Sequence, residues 1–234
     1  MSSGLGEDWN RILDDLRVLA PIYGRGNDVL SFGRSAKLRR AAVASGLPPS
    51  GVFADVGCGP GSMAIEARRL NPSLEAVLVD PLPEMLAYAT ANEELTGANM
   101  VQAVYEYLPF RDRALDGYLA GFTLRDARDR VAAVREASRV LRPGGQAVVL
   151  DLGRPDSGYK RVLVAAYWRV VVPVLLFLFM GSEGAPFRDI YLTLRRLPCN
   201  AEVISIFTPL FAQVTPRKLM LDGVLVIVAG KAEA

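Results

Sequence analysis

Residues 52–62 read Val-Phe-Ala-Asp-Val-Gly-Cys-Gly-Pro-Gly-Ser, and a second apolar run, 74–79, ends on Asp80. A strand-length apolar run feeding a glycine-rich turn and then a helical pattern is the opening of an α/β unit. Working outward, further strand-length runs lie at 100–104, 115–121 and 146–152, bounded by Gly, Pro, Asn or Asp. Helical spacing over 62–70, 83–95 and 126–141 fills the intervals, and the last pattern closes at Arg142-Pro-Gly-Gly. Strand and helix alternating in this way require crossover connections and a parallel sheet covered by helices on both faces. At the C-terminus, runs at 214–221 and 224–229 flank Asp222-Gly223. That dipeptide predicts a tight hairpin, with an antiparallel strand closing the sheet.

Composition narrows the class. The chain has 234 residues, of which 51% are apolar and 22% charged, so it can bury a sizeable core. Lys and Arg total 27 against 25 Asp and Glu, a net charge of +2, too small to neutralise a row of phosphates. Nucleic acid is therefore not expected as a partner. No histidine is present, which removes His-based triads and His-ligated metals, and no metal is expected. Two cysteines, Cys58 and Cys199, make no disulfide framework and point to a reducing, cytoplasmic setting. The N-terminus lacks the basic and apolar pattern of an export signal.

One segment stands apart. Residues 162–180 read VLVAAYWRVVVPVLLFLFM, close to the roughly 20 apolar residues that cross a bilayer. Arg169 and Pro173 argue against crossing, one by its charge and the other by interrupting a helix near its middle. A buried helix or an apolar lid touching a membrane peripherally fits better. A mean hydropathy of +0.22 favours the lid.

The glycine loop also speaks to chemistry. Glycines let the backbone turn sharply and a ligand approach closely, and an acid such as Asp80 at the next strand end can bond the hydroxyls of a ribose. A nucleoside-containing cofactor is implied. Dinucleotide binding wants a third glycine one residue later than Gly61, and the acid before the loop, Asp55, would repel a pyrophosphate but accept from an ammonium. S-adenosylmethionine carries that ammonium and no phosphate.

The DVGCGPG string with Asp80 resembles the first motif of class I S-adenosylmethionine-dependent methyltransferases. Further strings, 23–33 (YGRGNDVLSFG), 108–110 (LPF), 121–126 (GFTLRD) and 139–145 (RVLRPGG), resemble the ubiquinone/menaquinone biosynthesis C-methyltransferase family. Residues 167–173 and 189–192 sit where that family has its lid helix and the segment after it. The resemblance implies a Rossmann-like, mostly parallel seven-stranded sheet with an antiparallel C-terminal strand and a helical lid. It implies one domain: a helical cap over 1–50, a cofactor-binding core over 51–152, an apolar lid over 153–200, and a closing helix and hairpin over 201–234. The implied cofactor set is Asp55, Gly57, Cys58, Gly59, Pro60, Gly61, Asp80, Pro81, Val104, Tyr105 and Gly121, with S-adenosylhomocysteine as product. The sequence departs from the family's pattern at Pro60, at Asp126 and at Val104, where adenine recognition must rest on backbone groups or stacking.

Methyl transfer to a ring carbon needs alignment, exclusion of water, and a ring hydroxyl stripped of its proton. Tyr23, Asp28, Arg125 and Asp126 are candidates for that step, Arg125 as the cation that stabilises a phenolate. The resemblance turns Tyr23, Asn27 and Arg125 toward the acceptor, making Tyr23, Asn27, Arg125 and Asp126 the expected catalytic set. It implies a lipophilic aromatic acceptor, a prenylated quinone precursor first. Peripheral membrane contact through 162–180 and a homodimer are admitted as associations. Plainer readings exist for each group. Asp55 can cap the loop, Asp126 can be the N-cap of the helix after it with Arg125 solvated, and Arg34, Lys37, Arg39 and Arg40 can form a solvated helix face or meet anionic lipid. As a whole, the chain could instead methylate another small apolar acceptor, serve as an NAD(P)-dependent oxidoreductase, or be a non-catalytic subunit of methyltransferase fold.

Overall fold

A computed structural model describes residues 4–181 and 189–233. Seven strands form one sheet in the order β3-β2-β1-β4-β5-β7-β6. They are β1 Val52–Val56, β2 Glu75–Asp80, β3 Asn99–Gln102, β4 Leu115–Gly121, β5 Leu141–Leu152, β6 Gln213–Leu219 and β7 Val224–Gly230. β1 to β5 pair in parallel, and β7 runs antiparallel to both β5 and β6. The expected α/β class and antiparallel strand are present, but that strand lies second from the edge instead of closing the sheet. The two sequences explain why. β7 (VLVIVAG) is almost wholly buried, whereas β6 (QVTPRKL) is largely exposed and carries Pro216, which an edge position tolerates.

Helices cover both faces. α3 Ser35–Ala44, α4 Ser62–Leu70 and α5 Pro83–Thr90 pack on one side, burying Val43, Met63, Ala67 and Ala89. α6 Arg130–Val140 and α10 Asn200–Phe207 pack on the other with Val134, Ala137 and Phe207. The order of strands reverses at β1 and β4, so their carboxyl ends splay into a crevice where α/β sheets hold ligands. Above it sit α1 Trp9–Leu19 and α2 Tyr23–Leu30, and beside them a long apolar helix made of α7 Gly158–Ala166, a π-helical turn Tyr167–Val171 and α8 Val172–Met180. α9 Asp189–Arg196 follows, and its first four side chains lie outside the described residues, as do 182–188 of the expected lid.

Several expected boundaries move for local reasons. The helix expected over 126–141 begins at Arg130, because Asp129 accepts from the N–H groups of Val131 (2.9 Å) and Ala132 (3.1 Å) and is the true N-cap. Asp126 belongs instead to a 3-10 turn, Leu124–Asp126. The helix over 83–95 stops at Thr90 and resumes as the 3-10 turn Glu93–Leu95, capped by the Asn92 side chain. The strand over 100–104 ends at Gln102, before the Val104–Tyr107 bridge. In the hairpin the left-handed positions are Met220, Leu221 and Asp222, not an Asp-Gly pair.

Pro173 does not interrupt the lid helix. The buried stripe Val164, Trp168, Val172, Leu176, Met180 recurs every four residues, which would wind away from its neighbour on a plain 3.6-residue helix. The wider π turn just before Pro173 brings the stripe back into line and accommodates the ring. Gly158–Met180 is thus a continuous helix of 23 residues, long and apolar enough to cross a membrane by length and composition, with one face packed on the protein.

Candidate functional site

The loop after β1 is built from its glycines. Gly57, Gly59 and Gly61 all have positive φ (67°, 54° and 84°), and a Cβ on Gly57 would run into the Tyr105 hydroxyl. The N–H groups of Gly57 and Cys58 both donate to Val79 O (2.8 and 3.0 Å), which ties the loop to β2. Asp80, at the end of β2, accepts from Gly59 N–H and Leu82 N–H (2.8 and 2.9 Å). Asp55 accepts from Ala64 N–H through Oδ2 (2.9 Å), while its buried Oδ1 has no partner. Asp55 thus braces the helix with one oxygen and leaves the other unspent. Burial pushes Asp55 up to about 7 against the Ala64 N–H and the Arg39 cation, with Asp80 adding to the rise. Burial likewise lifts Asp80 to about 6 against its two N–H donors.

The second cluster lies across the crevice. Arg125 is buried and paired with Asp151 (2.9 Å) and Asp126 (3.2 Å), and its backbone N–H donates to Asp151 Oδ2 (2.8 Å). Burial disfavours its charge, but those carboxylates hold it further into the protonated range. It is not solvated. Burial raises Asp126 to about 6 despite Arg125, and Asp126 Oδ1 has no partner. Burial raises the Tyr23 hydroxyl against the Arg125 and Arg39 charges. Asp28 is exposed.

Two cavities flank this cluster. The one above the loop, about 40 Å³, is lined by Gly57, Gly59, Asp80, Tyr105, Tyr23 and Asp126 among others. Leu13, Leu16 and Tyr23 pack there around Leu82 and Met85, so the cap largely fills it. The second, about 420 Å³, is lined by Asn27, Arg125 and a mostly apolar wall that includes Phe122, Val164 and Trp168. Its neighbouring surface is apolar too: Phe32, Leu163, Met220 and Leu221 are exposed.

Of the residues singled out in the sequence, Gly57, Gly59, Asp80, Pro81, Tyr105, Tyr23 and Asp126 line the small cavity, and Asn27 and Arg125 the large one. Asp55, Cys58, Pro60, Gly61 and Val104 line neither, and Gly121 abuts Met63 of α4. Cys58 is buried, and burial beside Asp55 and Asp80 raises its thiol. The sequence reading missed Thr123, which lines the small cavity, and the cap residues Trp9, Leu13 and Leu16. The i, i+3, i+4, i+7 pattern of α1 carries the signal for the latter. It also misplaced Arg39, which is 4% exposed, in contrast to the exposed Arg34, Lys37 and Arg40. The signal was there: Ser35, Arg39, Ala42 and Val43 share one face of α3.

Residues 10–207 match the model of the ubiE/COQ5 methyltransferase family. A demethylmenaquinone methyltransferase of Thermus thermophilus is 35% identical over 171 residues, covering 71% of this chain and 77% of that protein. The ubiquinone/menaquinone biosynthesis C-methyltransferase UbiE of Geobacter sulfurreducens is 30% identical over 233 residues, covering 97% and 90%. Among solved structures, a SAM-dependent methyltransferase from Aquifex aeolicus superposes with a TM-score of 0.58 at 14% identity, covering 88% of this chain and 97% of that one. The carbon methyltransferase CurJ gives 0.57 at 21%, covering 80% and 50%; at such identities the likeness is one of fold.

Proposed function

This chain belongs to the ubiE/COQ5 methyltransferase family and is an S-adenosylmethionine-dependent methyltransferase, and from that premise we propose that it C-methylates a prenylated quinol. The family assignment sets aside the oxidoreductase alternative. The residues suit the cofactor: a buried, partnerless Asp55 Oδ1 for an ammonium, and a glycine cradle that side chains would block. Bound there, S-adenosylmethionine supplies an electrophilic methyl group. Admitting it requires the cap residues Leu13, Leu16 and Tyr23 to shift, because the cavity they leave is far smaller than a nucleoside.

One observation carries the acceptor assignment. The 420 Å³ apolar cavity reaches Arg125, so a hydrophobic tail can lie along Phe122, Val164 and Trp168 while a ring meets the polar cluster. Where the ring passes Arg125 to the crevice side, Asp126, whose family counterpart is an amide, takes the proton of the ring hydroxyl through its free Oδ1. Its carboxyl titrates close enough to neutrality to accept and release a proton. Arg125 holds the resulting oxyanion, and Tyr23 and Asn27 orient the ring. Electron density then reaches the adjacent carbon, which forms the new bond to the methyl group as the carbon–sulfur bond breaks, and that carbon loses its proton to restore aromaticity. Two relatives bear names that specify a demethylmenaquinone or ubiquinone/menaquinone substrate, which supports this reading.

The same proposal extends to the surroundings of the lid. Val170, Val174, Phe177, Leu178 and Phe179 are exposed on the long helix, and Arg34 at the cavity has no acidic partner among the described residues. An apolar face with a flanking cation suits the surface of an anionic bilayer, where a prenylated acceptor resides. Radiolabelled methyl transfer to a short-chain demethylmenaquinol tests the assignment. Incorporation that Arg125→Met sharply reduces is expected, and no incorporation into any quinol would overturn it.

A further inference from the structure

Arg39 is a buried charge without a counter-ion among the described residues, set behind Ser35 and Phe122 of the large cavity and lining neither cavity itself. Its side chain donates to the Ser35 hydroxyl, and its guanidinium carbon lies 5.0 Å from the centre of the Phe122 ring. Its Nε has no partner, and among the described residues no carboxylate lies within ion-pair distance. Arg125, equally buried, has two. Removing a guanidinium from water without a counter-charge is expensive enough to lower its own proton affinity, and burial does so here. A position of this kind is explained by an anion that arrives with a ligand.

The surroundings say which anion. Arg39 feels the charges of Tyr23, Asp55 and Asp28 favourably and that of Arg125 unfavourably. Phe122, beneath the Arg39 guanidinium, precedes Thr123, whose hydroxyl donates to Val56 O, the neighbour of Asp55; Asp55 keeps an unspent Oδ1 and feels Arg39 in return. A buried cation and a buried anion that interact electrostatically yet each keep a free atom match a zwitterion whose two charges sit on one carbon. The amino-acid end of S-adenosylmethionine is such a group. We propose that Arg39 binds the α-carboxylate of the cofactor, while Asp55 receives its ammonium. The assignment rests on the cofactor class and not on the proposed quinol acceptor.

Calorimetric titration of the full chain with two ligands isolates this contact: S-adenosylhomocysteine, and its decarboxylated analogue, which keeps the ammonium. The wild type should bind the first about 10- to 100-fold more tightly, the range of a charge-assisted pair. Arg39→Met should bind both alike, at the wild type's affinity for the analogue, and Arg39→Lys should recover part of the preference. Should Arg39→Met not fold, the Arg39→Lys and Arg39→Gln pair must show the same graded loss. Undiminished discrimination in these variants, equal weakening of both ligands, or no discrimination by the wild type would each overturn the assignment. Intact S-adenosylhomocysteine binding with an altered pH profile of turnover would also do so, moving Arg39 to an oxyanion of the acceptor. Failure to methylate any quinol leaves these titrations unaffected.

Discussion

The crevice above the glycine loop and the cavity beneath the lid share one wall and are built on opposite principles. The wall takes neighbouring residues from the same segments: Tyr23 lines the crevice and Asn27, one helical turn on, the cavity; Thr123 the crevice and Phe122 the cavity; Asp126 the crevice and Arg125 the cavity. On the crevice side the floor is largely backbone, fixed by three left-handed glycines and two carboxylates that accept from N–H groups. On the lid side it is apolar side chains from α2, α3, the ends of the central strands and the long helix. A backbone floor binds a constant ligand in one pose, whereas a side-chain wall selects for lipophilicity and tolerates variation in a tail. Under the proposed function, methyl transfer at this wall keeps the charged donor and the apolar acceptor in separate compartments until their reacting atoms meet.

The wall is tested most severely by Arg125→Met, which should lower turnover by about 10²- to 10³-fold while S-adenosylhomocysteine affinity stays within about twofold. A parallel loss of affinity in calorimetry would mean that the compartments are not separate. The lid side alone is probed by Phe177→Ser with Phe179→Ser, two exposed residues outside the cavity. Flotation with anionic vesicles should fall by about 10-fold or more, and unchanged flotation would remove the membrane from the lid's role.

The crevice side should respond to pH. Asp55 must be ionised to take an ammonium and titrates near 7, so S-adenosylhomocysteine affinity should rise up to about 10-fold between about pH 6 and 8, and this dependence should vanish in Asp55→Asn. Linkage gives the opposite sign for the cofactor-free fold. With the folded carboxyl raised from an ordinary 3.8 to about 7, the native state holds the proton longer than the unfolded chain. This group's contribution is therefore most favourable at acid pH and falls as pH climbs from about 4 to 7. The smallest effect is expected away from the wall: Asp129→Ala, removing the N-cap of α6, should cost about 1 kcal/mol in denaturant unfolding with turnover unchanged.

Local chemistry made part of this legible. The strands β1, β2 and β4, the glycine turn and Asp80 followed from residues close in sequence, because a turn of left-handed glycines needs no distant partner. Helix α4 begins and ends where its pattern predicts. What escaped depended on contacts between distant segments. Asp129 and Asp126 are both plausible caps in sequence, and only the bond of Arg125 N–H to Asp151, 26 positions away, shows why the chain turns before the helix starts. Arg39 reads as one of four surface cations until α3 is laid against Phe122.

The sequence by itself determined the α/β class, the cofactor loop and the apolar character of the lid, since each is written in a contiguous pattern of φ-permissive or hydrophobic residues. Tertiary structure alone decided which charges are buried, that β7 inserts between β5 and β6, and that the lid helix bends its stripe around a π turn. Those outcomes depend on burial and on the pairing of groups far apart along the chain, and no local pattern carries the energy of a contact it does not contain.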